Sequence, residues 1–498
     1  MNDVTIARSR LRAAGSGRRI SKGLGTAALA VACGALLFSG CGSRAPLSSI
    51  EAAAHRPIVR GSALQADSAG GTSQALGTTG GTSGNADVSG AGGTSTPAAS
   101  AAGTPTGASS APAAAAHGTT APAGAAGGSS TAASHSTISL GNVGTYSGVI
   151  GAVFSGAQQT IGVWQAYVNA HGGLNGHPVH VYIEDDGGDP STSESDVEQE
   201  VTQDHVIAFV GNLVPLTASA SVSYLQQQDI PVIGGDASSA TWWQSLVMFP
   251  QGGSDLGDDQ AIFTIKGAAA RGDTKMGVMY CVEDPTCSDG IQSLIQAGGG
   301  QAAGVTTVYS SSFSITQPDF TANCLDAKQA GANFIYFAGD GDSLERMAND
   351  CAEQGYKPLF VGDSIAITAN LASDPNLNGL LAGQTDFPWV DSYTPAQATY
   401  QQAVKAYDPS LASSATTAAE WTAGMLAVAA SSALTATPTS AEFFQGLWGI
   451  KNNNLGGLAP PLTFTQGQPA TPSNCYFMMT LNNGQFQDLN NGTTTCVS

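Results

Sequence analysis

From Thr137 onward, short apolar runs alternate with segments of helical length, and the alternation is played twice. "TISLGNV" reads as a strand and "SGAQQTIGVWQAYVNAHGG" as a helix stopped by Gly172-Gly173. "HPVHVYIEDD", "VIAFVG" and "IPVIGG" read as further strands, separated by the helical segments "SESDVEQEVTQD" and "LTASASVSYLQQQD". The rhythm restarts with "TKMGVMYC" and continues through "GVTTVYSSS", "ANFIYFAG" and "KPLFVGD", each pair again separated by a helical stretch. Strands spaced by helices must pair in parallel, with helices covering both faces. The expectation is therefore an α/β chain with two doubly wound parallel-sheet lobes. In such folds a ligand lies beyond the carboxyl ends of the strands. Here that means the loops after "LGNV", "FVG", "VIGG", "VMY", "YFAG" and "FVGD".

Two segments precede this region. Residues 42–136 are mostly Ala, Gly, Ser, Thr and Pro, as in "TPTGASSAPAAAAHGTTAPAGAAGG". Such a composition has too little apolar surface to offset the entropy of ordering, so a flexible tether is expected. Residues 1–41 read as an export signal. Arg8, Arg10, Arg12, Arg18, Arg19 and Lys22 form a basic start, and "LGTAALAVACGALLF" is an apolar core too short to span a bilayer comfortably. "SGC" places small residues before Cys41, similar to the lipobox of bacterial lipoproteins, with Phe38 where Leu is usual. The expectation is lipidation at Cys41 and anchoring on the outer face of the cell membrane, the alternative being simple secretion.

Charge narrows the partners. Formal net charge is −20, and of 17 Lys and Arg none falls between Arg60 and Lys266. Nucleic acids and anionic lipid surfaces are bound by neutralising phosphates with Lys and Arg, so neither is an expected partner of the globular region.

Six cysteines follow Cys41: Cys281, Cys287, Cys324, Cys351, Cys475 and Cys496. An even count in an exported chain implies disulfides, and six cysteines allow 15 pairings. The sequential pairing is the expectation. Cys281 and Cys287 bracket one short loop, and Cys324 and Cys351 fall on successive helical segments. Cys475 and Cys496 flank a hairpin with "NNG" at its turn.

The stretch "NAHGGLNGHPVHVYIEDDGGDP" sets His171, His177 and His180 ahead of Glu184, Asp185 and Asp186. A metal centre would need the two ends of one strand to converge. His180 and Asp185 stand about 16 Å apart along an extended chain. Alternation puts His180 and Tyr182 on one face, with Val179, Val181 and Ile183 on the other. The stretch reads as scaffold, and neither metal nor cofactor is expected.

The same stretch, followed by "VIAFVGNLVPLTASASVSYLQQQDIPVIGGDASS" and later by "EQGYKPLFVGD" and "GLAPPLTFTQG", resembles the substrate-binding proteins of bacterial ABC importers of the branched-chain amino acid type. The resemblance covers Thr137 to Ser498. It implies the type I periplasmic-binding-protein fold: two lobes joined by three crossovers, closing on a small solute that a membrane permease then accepts. It places the crossovers near Gly252–Asp258, Gln384–Pro388 and Leu458–Leu462. The lobes would be 137–257 with 387–460, and 258–386 with 461–498. A monomer is implied.

Carried over position by position, the resemblance implies a ligand site at Tyr146, Ser147, Thr217, Asp236, Ser238, Trp242, Asp340, Asp363 and Ser364. Several positions depart from the family. Pro215 stands where a ligand-binding Ser is usual, and Asp236 where a small residue is usual. Asp340 or Gly341 replaces a Tyr, and the Cys281–Cys287 segment displaces another. The family acid falls on Ser364, beside Asp363. The implied lining is acidic, with Tyr146, Trp242 and Trp243 as aromatic walls, and favours a neutral polar, aromatic or cationic molecule over a dianion. Such an Asp after a strand can equally be a helix cap, and the Trp pair can equally be packing.

No enzyme is expected, because G-x-S-x-G, S-x-x-K, H-E-x-x-H and G-x-x-x-x-G-K are all missing. A ligand-sensing receptor module acting through a separate membrane partner is the first alternative reading, and a secreted enzyme the second.

Overall fold

The computed structural model describes residues 135–254, 259–296, 299–362 and 364–497. Cys41, the expected export signal, residues 42–134 of the expected tether, and Asp363 lie outside them.

The first sheet is parallel throughout, in the order β2-β1-β3-β4-β5. Its strands are β1 (Ile138–Gly144), β2 (Val179–Asp185), β3 (Phe209–Asn212), β4 (Val232–Gly235) and β5 (Met248–Phe249). Strand β1 is buried almost throughout, as a central parallel strand must be. Its register runs from Ile138 opposite Val179 to Gly144 opposite Asp185. Helix α1 (Gly151–Ala170) buries Phe154, Ala157, Ile161, Trp164 and Val168. It stops where expected, because Gly172 and Gly173 take φ of 100° and 75° and Gly173 N–H closes onto Val168 O at 2.9 Å. A Cβ on Gly173 would lie 1.8 Å from His177 O, so only glycine fits that turn. Helix α2 (Pro190–Thr202) starts on Asp189, whose carboxylate accepts from Ser191 and Thr192 N–H, with Pro190 in its first turn. Helix α3 (Val222–Gln228) is shorter than the expected helical segment Leu216–Asp229, and a short helix α4 (Ala240–Gln244) follows β4.

The second sheet repeats the plan. Strands β6 (Lys275–Cys281), β7 (Thr306–Phe313), β8 (Phe334–Ala338), β9 (Leu359–Gly362) and β10 (Leu381–Gln384) run in the order β7-β6-β8-β9-β10, all parallel. They alternate with α5 (Asp259–Ala270), α6 (Pro285–Gln296), α7 (Gly299–Ala302), α8 (Thr321–Ala330) and α9 (Gly341–Glu353). The chain then returns to the first sheet as α10 (Pro395–Tyr407), α11 (Ala415–Ala430) and α12 (Ser440–Gly449), with α11 packed on α1, β3 and β4. Each sheet with its helices forms one lobe of an α/β architecture. The second sheet ends differently from an all-parallel one: β11 (Cys475–Asn482) pairs antiparallel with β10, and β12 (Gln485–Asp488) antiparallel with β11. The tight turn at Asn482–Gly484 permits no other orientation.

Segments at two of the expected crossovers are joined by hydrogen bonds. Gly253 N–H donates to Thr385 O at 2.8 Å, and Ser254 N–H donates to Ser473 O at 3.0 Å. Ser473 thus lies beside the first of these segments. Phe387 N–H reaches Leu458 O, and Phe464 still packs edge-on against Phe249 of the first sheet. The apolar side chains after Leu458 hold that stretch to the first lobe.

The disulfides are sequential: Cys281–Cys287, Cys324–Cys351 and Cys475–Cys496. The histidine-rich stretch is structural. His177 is fully buried, with Nδ1 2.8 Å from Ser136 O and Nε2 2.9 Å from Thr435 O. Among the described residues no group of three or more His, Cys, Asp or Glu is placed to hold a metal. Nor is any helix among them long and apolar enough to cross a membrane.

Candidate ligand-binding cleft

A cavity of about 130 Å³ lies between the lobes at the carboxyl ends of both sheets. The first lobe contributes Phe154 of α1, Leu213 and Pro215 after β3, Gly235–Ser238 after β4, and the start of α11. The second lobe contributes Gln260 of α5, Asp284 and Thr286 after β6, Tyr336 of β8, and Ser364 and Ile365 after β9. Gln251 and Gly253 of the first crossover and Thr385 and Asp386 of the second make the floor. This is the crevice that parallel strands followed by helices produce.

The lobes meet around the cavity. Ile150, Phe154 and Leu213 of the first lobe form one apolar cluster with Ile315 and Ile365 of the second. Ser414 and Thr368 form a bridge of extended backbone, and Ala415 N–H donates to Ile367 O at 3.4 Å. A wider recess of about 560 Å³ lies outside this contact, lined by α1, the start of α9 and Ser410–Ser414.

Three of the residues expected from sequence, Asp236, Ser238 and Ser364, line the cavity. Asp340 lines the outer recess, where it caps α9: its carboxylate accepts from Ser343 N–H at 2.9 Å and Ser343 O–H at 2.6 Å. Asp363 lies outside the described residues. The other four are placed elsewhere, each for a physical reason. Tyr146 turns inward and donates to Asn142 Oδ1 at 2.6 Å. Thr217 is buried and donates to Asp186 Oδ2 at 2.5 Å, while Thr145 donates to the other oxygen at 2.8 Å. Asp186 thereby ties the loops after β1, β2 and β3 together. Ser147 is exposed and gives its N–H to Asp185 at 3.0 Å. Trp242 is fully buried beneath Gly235, and Trp243 donates to Ala237 O at 2.8 Å, so the Trp pair is packing.

The cavity's electrostatics are set by Asp236, Asp284 and Asp386, with no Lys, Arg or His among the described residues lining it. Burial pushes the Asp236 carboxyl up to about 6 against the hydrogen bonds from Ser238. Burial also pushes Asp386 up to about 7, against hydrogen bonds from Thr385, Gln251 and Thr422. Asp284, Gln251 and Asp386 did not figure among the expected site residues. Two of them sit in or beside the expected crossovers, so asking which polar side chains the crossovers carry would have found them.

The pattern of the periplasmic binding protein family matches residues 137–485. The chain belongs to the periplasmic binding protein family. This periplasmic binding protein is 27% identical over 212 residues to an amino acid binding protein of Pseudomonas aeruginosa, which is 41% of this chain and 54% of that one. It therefore spans about half the length of that curated relative. Among solved structures, a branched-chain amino acid ABC transporter protein from Thermus thermophilus with bound valine superposes with a TM-score of 0.64 at 14% identity. That match covers 73% of this chain and 97% of the other. A fatty acid ABC transporter substrate-binding protein from Thermomonospora curvata gives 0.61 at 17% identity, over 73% and 93% of the two chains. At these identities the likeness establishes the fold: two parallel-sheet lobes, as the motifs led one to expect.

Proposed function

We propose that this protein captures a small molecule between its two lobes and delivers it to the membrane permease of an ABC importer, with no bond chemistry of its own. One observation carries the reading: a cavity of about 130 Å³ is walled by both lobes and floored by two crossovers. A ligand there touches both lobes only when they are closed, so it favours that state by its differential affinity. A cavity of about 150 Å³ holds a benzene ring, so the solute is compact. The relatives whose printed descriptions name amino acids, valine or fatty acids as ligands support solute capture as the common role. Three disulfides suit an extracytoplasmic site of action. Lipidation at Cys41 would keep the protein beside its permease, and a monomer with one cleft is sufficient for the task.

Native mass spectrometry of the full chain recovered from its host, before and after mild denaturation, tests this reading. The expected result is one small molecule released per chain, which rebinds one to one and raises the melting temperature. A chain that never carries or binds a small molecule, yet retains a protein partner, would favour the receptor-module reading instead.

A further inference from the structure

The hydrogen-bond inventory of the cleft is one-sided. Backbone N–H groups at the ends of cleft helices are where an anionic ligand would dock, and here the protein's own oxygens take several of them. Asp236 Oδ1 takes Ser238 N–H at 2.9 Å. Asp284 Oδ1 takes Thr286 N–H and its hydroxyl, both at 2.8 Å, at the start of α6. Ser414 Oγ takes Thr417 N–H at 3.4 Å at the start of α11. Several side-chain donors are also spent on the protein. Gln260 Nε2 reaches Gly383 O at 3.2 Å, Gln251 Nε2 reaches Asp386 Oδ2 at 3.4 Å, and Thr385 donates to the same oxygen at 3.1 Å.

Carboxylate acceptors are left over: Asp236 Oδ2 and Asp386 Oδ1 are buried without a hydrogen-bond partner. Asp386 as a whole is only 4% exposed and borders the cavity. Apolar side chains, Phe154 and Ile365 among them, border the same space.

We infer that the cleft takes a compact organic cation of the amine or amidine class, carrying an apolar group and no carboxylate, whose N–H groups pair with Asp236 Oδ2 and Asp386 Oδ1. The inference rests on the solute-capture reading and names its ligand. A carboxylate would meet two buried, unpaired carboxylate oxygens in the lining residues Asp236 and Asp386, and Pro215 offers neither N–H nor hydroxyl. Among the described residues, the titratable groups bordering the space are Asp236 and Asp284 after β4 and β6, Asp386 of the second crossover and Tyr336 of β8. Because a cation draws both Asp236 and Asp386 into the ionised form, its binding releases protons and tightens as pH rises from about 5 to 8.

The test is isothermal titration of the full chain with isoamylamine and benzamidine, set beside isovalerate, benzoate, leucine and benzamide. Each titration is run at pH 5.5 and 7.5 in buffers of different ionisation enthalpy. The cations are expected to bind one to one, more tightly at pH 7.5, with proton release. Asp236→Asn and Asp386→Asn should each weaken them about 10- to 100-fold and flatten the pH dependence. Asp236→Asn, at the rim of the buried set, serves if the Asp386 variant fails to fold. Binding of a carboxylate, of leucine or of benzamide without proton release leaves solute capture standing and overturns the cation assignment. If no cation binds, the assignment is likewise overturned, and the molecule released in native mass spectrometry decides separately whether solute capture survives.

Discussion

Gln251 Nε2 lies 3.4 Å from Asp386 Oδ2, and Gln251 Oε1 accepts Gly235 N–H at 2.8 Å. One side chain thus joins the first crossover to the second and pins β4 to both. Replacing it by Leu leaves a buried Gly235 N–H without an acceptor, at a cost of about 1–3 kcal/mol. Urea unfolding should show the midpoint of Gln251→Leu falling accordingly, with the slope unchanged.

Glu200 makes stability depend on pH in a direction opposite to ordinary acid denaturation. Burial first, and then the charge of Glu184, push its carboxyl from 4.5 up to about 9. The folded chain therefore holds a proton that the unfolded chain loses near 4.5. This contribution is complete below about pH 4.5 and is lost as pH rises toward 9. Asp386, raised to about 7, and Asp391, raised to about 8, act with the same sign. The denaturation midpoint should fall between pH 5 and pH 9, and Glu200→Gln should fall less steeply over that span.

The Cys324–Cys351 bridge ties α8 to α9 with both cysteines fully buried, over a separation of 27 residues. Replacing both by Ala should lower stability by about 2–5 kcal/mol. Cys475 is partly exposed and Cys496 exposed, so peptide mapping after mild reductant should find this pair reduced first, with the buried pair intact.

Gly235 sits at φ +154°, and a Cβ there would lie 2.2 Å from Asn212 O and 2.6 Å from the Trp242 ring. Gly235→Ala must shift β4 against α4 and move Asp236 with it. The expected outcome is a loss of at least about 2 kcal/mol in stability together with weakened ligand binding. Restored affinity at wild-type stability would contradict the packing seen here.

What was legible in the chain was whatever depends on local pattern. The strands are apolar runs that only a sheet covered on both faces can bury, and Gly172-Gly173 announces the end of α1 by itself. Asp340 was open to two readings, cap or ligand group, and its bonds to Ser343 show a cap; no local signal separates the two. Tyr146 and Thr217 fell on plausible positions, but Asn142 and Asp186, distant or unremarked in sequence, draw their hydroxyls inward. The floor of the cleft was hidden for the opposite reason. Gln251, Asp284 and Asp386 come from three remote segments, and only the meeting of both crossovers beneath the sheets brings them together. Leu458–Leu462 carries the Pro and apolar residues expected of a hinge, and Phe464 beyond it packs on Phe249 of the first sheet.

The most direct test of the central claim is the distance between the lobes as ligand binds. Dyes on Ser191→Cys and Ala322→Cys, exposed positions at the starts of α2 and α8, report it by energy transfer in the full chain. With the co-purified molecule removed and then restored, the account predicts a shift of population toward the short distance, saturating at one molecule per chain. Binding that saturates at one molecule per chain while the distance distribution stays unchanged would contradict capture between the lobes.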